Sequence, residues 1–313
     1  MEASGAVSIF QRSFEKHSLR YKGYIGDGDS SAYNDVVASN PYPGFEINRL
    51  YCVGHYQKRL GNRARNLRVT LKGQFLSDGK RINGKGRLTD KAINTLQIYF
   101  GMAIRQNVNN LYAMKKAAWA VLFHNSDISE ESERHKFCPR TRTSWCLWQS
   151  NKVTGETTSK TKLSLPLAIK AVLMPIFTDL TNETLLSKCL HGQTQNNNES
   201  LNALIWKRCL KDFFVGKKVL EISMNSAIIA FNDGSTAVEK EISAGGIEPS
   251  MFMQEGLYKL DLIRIKKMNH KSSTKGKLRR KQLRAIKKGY IDIEKELEKD
   301  PQYNSGVWDH MLT

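Results

Sequence analysis

The sequence predicts an α/β opening followed by a large all-helical region and a basic helical tail. Three observations predict it. Helix and strand signatures alternate up to Val53, as in a parallel α/β sheet. From Tyr56 onward the apolar residues recur at helical spacing. Residues 259–288 hold 13 Lys and Arg against one acid, Asp261, and so supply +12 of a net charge of +19.

Residues 3–18 read as a helix with Val7, Phe10 and Phe14 on one apolar face. Tyr21–Ile25 is a short strand-type run ending in Gly26-Asp27-Gly28-Asp29-Ser30, a turn cluster able to cap a helix over Ser31–Ser39. Two prolines make Asn40–Gly44 a loop, and Ile47–Val53 is a second strand. Tyr56–Leu71 is a very basic helix, and Asp78–Arg87 a Gly-rich basic loop. Ile93, Leu96, Phe100 and Ile104 mark one amphipathic helix; Leu111, Met114, Ala118 and Leu122 mark another. An acidic loop follows at 125–135. Residues 150–163 have the composition of a flexible linker, and Ser164 is placed to cap a helix with Pro166 in its first turn. Further helices are expected from Asn197 to about Leu210 and over Val219–Phe231, the latter apolar on several sides and therefore buried. No internal repeat is evident.

Hydrophobic residues make up 40% and charged residues 25%, as in an ordinary globular protein. The balance of 49 Lys and Arg against 30 Asp and Glu is less ordinary and points to a polyanion, because such contacts release counterions condensed on phosphates. The longest fully apolar run, Ala117–Phe123, is far short of the roughly 20 residues of a membrane span. The N-terminus has no signal-peptide layout. Cysteines 52, 138, 146, 189 and 209 are odd in number, which argues against a secreted disulfide framework and for a reducing compartment, cytosol or nucleus.

Several residues could carry chemistry. Asp27 and Asp29 end a strand in an α/β region, where such sheets place ligands. A carboxylate there can hold Mg²⁺ or Mn²⁺; equally, it can cap the following helix. Glu199 follows a run of amides, Gln195 to Asn198, and opens an apolar helix, where an acid also complements the helix dipole. Cys52 and His55 form a CxxH pair, either half of a zinc site or a buried thiol beside a capping imidazole. Cys138, Cys146, Cys189 and His191 could make a Cys₃His structural zinc site, with buried free thiols as the competing explanation. Residues 57–87 carry ten basic side chains against Asp78 alone, among them Lys58, Arg59, Arg63, Arg65, Lys80, Arg81, Lys85 and Arg87. They suit a phosphate backbone or a solvated charged face. In the tail, Lys266-Lys267 and the run Lys277 to Lys281, joined by a polar segment read as flexible, suit nuclear import or a basic helix packed on the core.

Taken in order, LRYKGYIGDGDSSAY, CVGHYQKRLG, LSDGKRINGKGRLTDKAI, CPRTRTSWC and CLHGQTQNNNESLNALIW resemble the Mutator-like transposase domain found in animal genomes. The resemblance implies an RNase H-like fold with an Asp-Asp-Glu site that cleaves and transfers DNA strands with Mg²⁺ or Mn²⁺. It matches the second acid to Asp27, with Asp29 as substitute, and the Glu to Glu199. It sets Cys52 and His55 near that site, His55 positioning a phosphate or carboxylate. The divisions it implies are 1–55 for the first part of the core, 56–190 for an inserted helical domain, 191–257 for the last core helices and 258–313 for the basic tail. The family's first Asp lies on a strand upstream of the helix beginning near Ala3. The expectation is therefore an incomplete RNase H-like core, without its first three strands and first catalytic Asp, and inactive alone. DNA is the expected partner, the nucleus the expected location, and no membrane is involved; a homo-oligomer is left open. The rival expectations are a catalytically inactive, domesticated DNA-binding protein and a basic RNA- or chromatin-binding scaffold.

Overall fold

A computed structural model describes residues 2–27, 31–142, 144–155, 163–210, 212–280, 282, 283 and 286. The chain divides into two units, Met1–Asn198 and Glu199–Thr313. Each is taken by itself.

The first unit opens with α1 (Glu2–His17), β1 (Gly23–Gly26), α2 (Ser31–Ala38) and β2 (Asn48–Tyr51). The strands pair in parallel, Gly23 opposite Asn48 through Gly26 opposite Tyr51, so the alternation read from the sequence is a βαβ unit. Phe10, Val36, Tyr42 and Ile47 form its small core. The α1 stripe differs from expectation at its end: Phe14 is exposed beneath the Arg20 guanidinium, and the buried position is Ser13. The Ser13 hydroxyl lies against Tyr42 Oη and the carbonyls of Phe10 and Leu19, so a polar knot, not a third apolar contact, ties α1 to the loop before β2.

The rest of the unit is helical: α3 (Val53–Thr70), α4 (Asp90–Arg105), α5 (Leu111–His124), α6 (Glu131–Arg134), α7 (Leu147–Thr154), α8 (Leu167–Leu180), α9 (Glu183–Leu186) and a 3₁₀ turn, Ser187–Cys189. Thr89 and Asn110 cap α4 and α5 by accepting the amides of Ala92 and Ala113. The stripe Ile93, Leu96, Phe100 and Ile104 is fully buried, as are Met114, Ala118 and Leu122. They meet Tyr56 and Leu60 of α3 and Leu173, Phe177 and Leu180 of α8 in one core, which also takes in Tyr51 and Val53. Tyr56 Oη, buried at its centre, donates to the Leu180 carbonyl at 2.7 Å.

Three local expectations are corrected. Residues 150–154 complete α7 and are not linker; Gly155, at φ 77°, closes it, and residues 156–162 lie outside the described residues. Ser164 does not cap α8: its hydroxyl meets the Asp127 carboxylate, and Pro166 is the residue preceding the helix. One turn of helix, α6, interrupts the acidic loop at 125–135.

The second unit holds most of α10 (Asn196–Arg208), then α11 (Lys217–Asp233), α12 (Ala237–Ala244) and α13 (Met251–Ser272); residues 274–280 are again helical. α11 is not the buried helix expected. Only Ser223 and Ala227 are covered, while Val219, Ile222, Met224 and Ile228 are exposed. The Asp261 carboxylate of α13 accepts the amides of Ser235 and Thr236 before α12 and so fixes that helix end. No helix among the described residues is long and apolar enough to cross a membrane.

Candidate nucleic-acid interface and metal-ligating cluster

β1 ends at Gly26, which puts Asp27, exposed, just beyond the C-terminal edge of the parallel pair. Next to it β2 runs into α3 through Cys52. The buried Cys52 is the residue before the helix; its amide donates to the Gly26 carbonyl at 2.9 Å and its thiol accepts the Gln195 amide at 3.3 Å. His55 is half-buried in the first turn of α3. Arg59, one turn on, donates to the Asp27 backbone carbonyl at 2.9 Å and lies over the rings of Tyr51 and Tyr56 at 4.6 and 5.4 Å. Arg49 and Lys188 also face the Tyr51 ring, so three cations gather around this strand end.

The chain leading to Glu199 is pinned at the same edge. Gln195 Nε2 donates to the Ile25 carbonyl at 2.9 Å, and the Val53 amide donates to the Gln193 carbonyl at 3.1 Å. Gly192 makes the turn that this needs: its φ is +69°, and a Cβ there would press on Val108 Cγ2 at 2.7 Å. α10 starts directly afterwards at Asn196, and Glu199, in its first turn, is the first residue of the second unit. Asp29 lies outside the described residues.

Besides Arg59 and the exposed Lys72, the basic residues of 57–87 fall into three groups. Arg63 pairs with Asp179, and Arg68 and Arg65 face Asp90 at 3.0 and 3.9 Å, so these α3 guanidiniums are partly neutralised. Arg87 is removed from the expected DNA-contact set. It is buried, and its guanidinium forks onto the Asp78 carboxylate at 2.5 and 3.1 Å. That hydrogen bond, aided by the Lys80 amide, holds the Asp78 carboxyl below its ordinary range. Lys58, Lys80, Arg81 and Lys85 remain exposed. The loop between α3 and α4 is built around the Arg87–Asp78 pair, with Ile82 and Leu88 anchored in the core. Outward it presents Arg81 over the ring of the exposed Phe75, 5.6 Å to the centroid, a cation–aromatic tip that composition alone did not single out.

The expected Cys₃His set is corrected in two of its four members. Cys138 and Cys146 converge, but with His124 and His135. One ligand atom from each lies within 4.8 Å of all the others. His135 Nδ1 is 3.3 Å from Cys146 Sγ and 3.7 Å from Cys138 Sγ; His124 Nδ1 is 3.5 Å from Cys138 Sγ and 3.1 Å from His135 Nδ1. Cys146 is held well below the ordinary thiol range by the hydrogen bond from Cys138 and then by the two imidazoles. Cys189 sits instead in the main core, where burial pushes its thiol up to about 12. His191 has no lone pair to offer: Nδ1 accepts the Gln193 amide at 3.0 Å, and Nε2 faces the Tyr51 and Lys188 carbonyls at 3.1 Å. The spacing of His135 and Cys138, two residues between, was the signal that could have located this set.

Residues 1–146 match a family model described as Mutator-like transposase. Searches among curated proteins and among solved structures return no match. The matched stretch runs from α1 to Cys146 and so contains Asp27, Cys52, His55, the basic loop and the whole His/Cys cluster, while Glu199 lies beyond it. Over residues 1–146, a little under half of its length, the chain is similar to the Mutator-like transposase family.

Proposed function

We propose that this chain engages DNA as a Mutator-like transposase module, and that by itself it holds DNA without cutting it. What carries the reading is the exposed cations of the first unit: Lys58, Lys80, Arg81 and Lys85 are exposed, and the loop tip sets Arg81 on an exposed Phe75. Exposed cations neutralise phosphates, and an aromatic beside them offers a stacking surface.

The family resemblance assigns Mg²⁺ or Mn²⁺ to Asp27 and Glu199, within an RNase H-like core. This reading counts two carboxylates, Asp27 and Glu199, one in each unit, fewer oxygen ligands than such a site takes. Hard divalent ions want several oxygen ligands, and two-ion cleavage wants carboxylates bridging ions about 4 Å apart. Among the described residues the only gathering of three or more metal-ligating side chains is the His/Cys cluster, which is nitrogen and sulfur and suits neither ion. No cleavage step is therefore assigned to this chain alone. Arg59, which donates to the Asp27 carbonyl, and His55, one turn before it on α3, are the phosphate-positioning groups in this reading.

Fluorescence anisotropy with labelled duplex DNA tests binding. The apparent affinity of the full chain is expected to fall by about 10³ or more between 50 and 200 mM salt. The triple substitution Lys80→Ala, Arg81→Ala, Lys85→Ala should flatten the slope of log affinity against log salt by about 2.7. A salt-independent affinity, or a triple variant that binds like the parent, would overturn the interface. Mg²⁺-dependent nicking by the purified chain, abolished by Glu199→Gln, would instead establish the cleaving enzyme.

A further inference from the structure

We infer that His124, His135, Cys138 and Cys146 form a closed, tetrahedral zinc site that staples the C-terminal end of α5 to the start of α7. The four residues enter from three directions. His124 is the last residue of α5, His135 follows α6, Cys138 lies in the loop beyond it, and Cys146 is the residue before α7.

The spacing of the ligand atoms fits the ion. With bonds near 2.3 Å to sulfur and 2.05 Å to nitrogen, a tetrahedron has edges of about 3.6 Å between N and S and about 3.3 Å between two N. The four atom pairs within hydrogen-bonding range lie at 3.3, 3.5 and 3.7 Å for N and S and at 3.1 Å for N and N. The other two of the six edges, His124 to Cys146 and Cys138 to Cys146, are no longer than 4.8 Å, within what an ion can draw in.

The hydrogen bonds around the cluster orient it. Glu131 accepts from His135 Nε2 at 3.0 Å, which places the proton on that nitrogen and leaves the Nδ1 lone pair aimed at the thiols. A carboxylate behind a ligating imidazole is the usual outer partner of a zinc histidine. Gln149 Nε2 donates to the His135 backbone carbonyl at 3.0 Å, and the Trp148 ring stacks on the imidazole at 4.9 Å, so the ring cannot swing away. Two imidazole Nδ1 atoms 3.1 Å apart, facing two buried sulfurs, would point lone pairs at one another unless a proton or a cation lies between them. Two thiolates and two neutral imidazoles give the soft, four-coordinate set that selects zinc over Mg²⁺ or Ca²⁺. All four positions are filled by protein and the sulfurs are fully buried, so no place remains for substrate and the ion is structural.

The test uses the full chain without a polyhistidine tag, purified under reducing conditions. Elemental analysis should find about one zinc per chain. Exchange for Co²⁺ should give the intense visible bands of a tetrahedral site with thiolate ligands. Chelation should lower the melting temperature by roughly 10 °C, reversibly on adding zinc. Cys146→Ser should lose the ion, and His191→Gln, from the set that spacing alone suggested, should keep it. If Cys146→Ser fails to fold, the Co²⁺ spectrum of the parent chain still decides the ligand class. A chain that carries no zinc and takes up none, an octahedral Co²⁺ spectrum, a Cys138–Cys146 disulfide in the reduced preparation, or zinc lost from His191→Gln would each overturn the site.

Discussion

Arg87 and Arg81 stand six residues apart in one basic loop, yet they do opposite things. Arg81 is exposed against Phe75, free to meet a phosphate; Arg87 is buried on Asp78 and organises the loop that presents its neighbour. The difference is a partner carboxylate and a place in the core, neither of which a count of charges contains. It has a pH signature. The Asp78 carboxyl is depressed in the folded protein, so its stabilising contribution is present above the unfolded value and is lost as the pH falls through the folded one. Asp78→Asn should therefore melt at a lower temperature than the parent at neutral pH, and the gap should close as the pH falls below about 4. Thermal scans across that range check it; a gap of constant size would show that Asp78 contributes shape and not charge.

The packing of α3 on α4 in the first unit has a simple sequence basis. Gln57 and Gly61 are one turn apart on α3, and Gln97 and Gly101 are one turn apart on α4. A Cβ at Gly61 would overlap the Gln97 amide, and one at Gly101 would overlap the Gln57 amide, so each glycine receives the other helix's glutamine and the two helices run antiparallel. The Gln57 carbonyl is fixed by Arg105 at 2.7 Å. The obstructing atoms are side-chain ends, which can move, and alanine gains roughly 1 kcal/mol of helix propensity over glycine. Gly61→Ala should thus be near neutral in chemical denaturation. Gly61→Leu brings more atoms than a displaced amide makes room for and should cost about 1–3 kcal/mol. Equal stability for the two variants would mean that the helices do not rely on this close approach.

Over the whole molecule, the net charge of +19 is not spread as a uniform coat. In the first unit Asp90, Asp179, Asp78 and Glu183 answer arginines and lysines of the helices around them. Across residues 259–288 the single acid, Asp261, caps α12, with Arg264 beside it, and the other basic side chains of α13 stay solvated. The segment between the two basic tail clusters is helical, not flexible. α13 runs to Ser272, and Ser273 at once accepts the Gly276 amide at its hydroxyl and the Lys277 amide at its carbonyl, starting the next helix after a break of one residue. Lys266 and Lys267 are exposed, as are Lys277 and Arg279, while Lys281 lies outside the described residues. Exposed basic clusters suit import receptors as well as phosphate backbones. A fluorescent reporter fused to residues 259–290 is expected to collect in the nucleus. An evenly distributed reporter, with the full chain also outside the nucleus, would remove the tail from that role.

Local patterns carried most of the first unit. The alternation before Tyr56 and the stripes of α4 and α5 are set by neighbours a few residues apart, and periodicity reads those directly. The likeness to the Mutator-like transposase family, too, was legible in motifs within residues 1–146. What depends on residues far apart was not. His124 and His135 look like a helix end and a loop residue until the chain folds them onto Cys138 and Cys146, while Cys189, similar in sequence, is carried into the apolar core. α11 reads as buried because apolarity is a property of the helix, whereas burial is a property of what packs on it. Sequence spacing decides which side chains share a face of one element; only tertiary packing decides which faces meet, and so which thiols gain ligating partners and which arginines remain exposed.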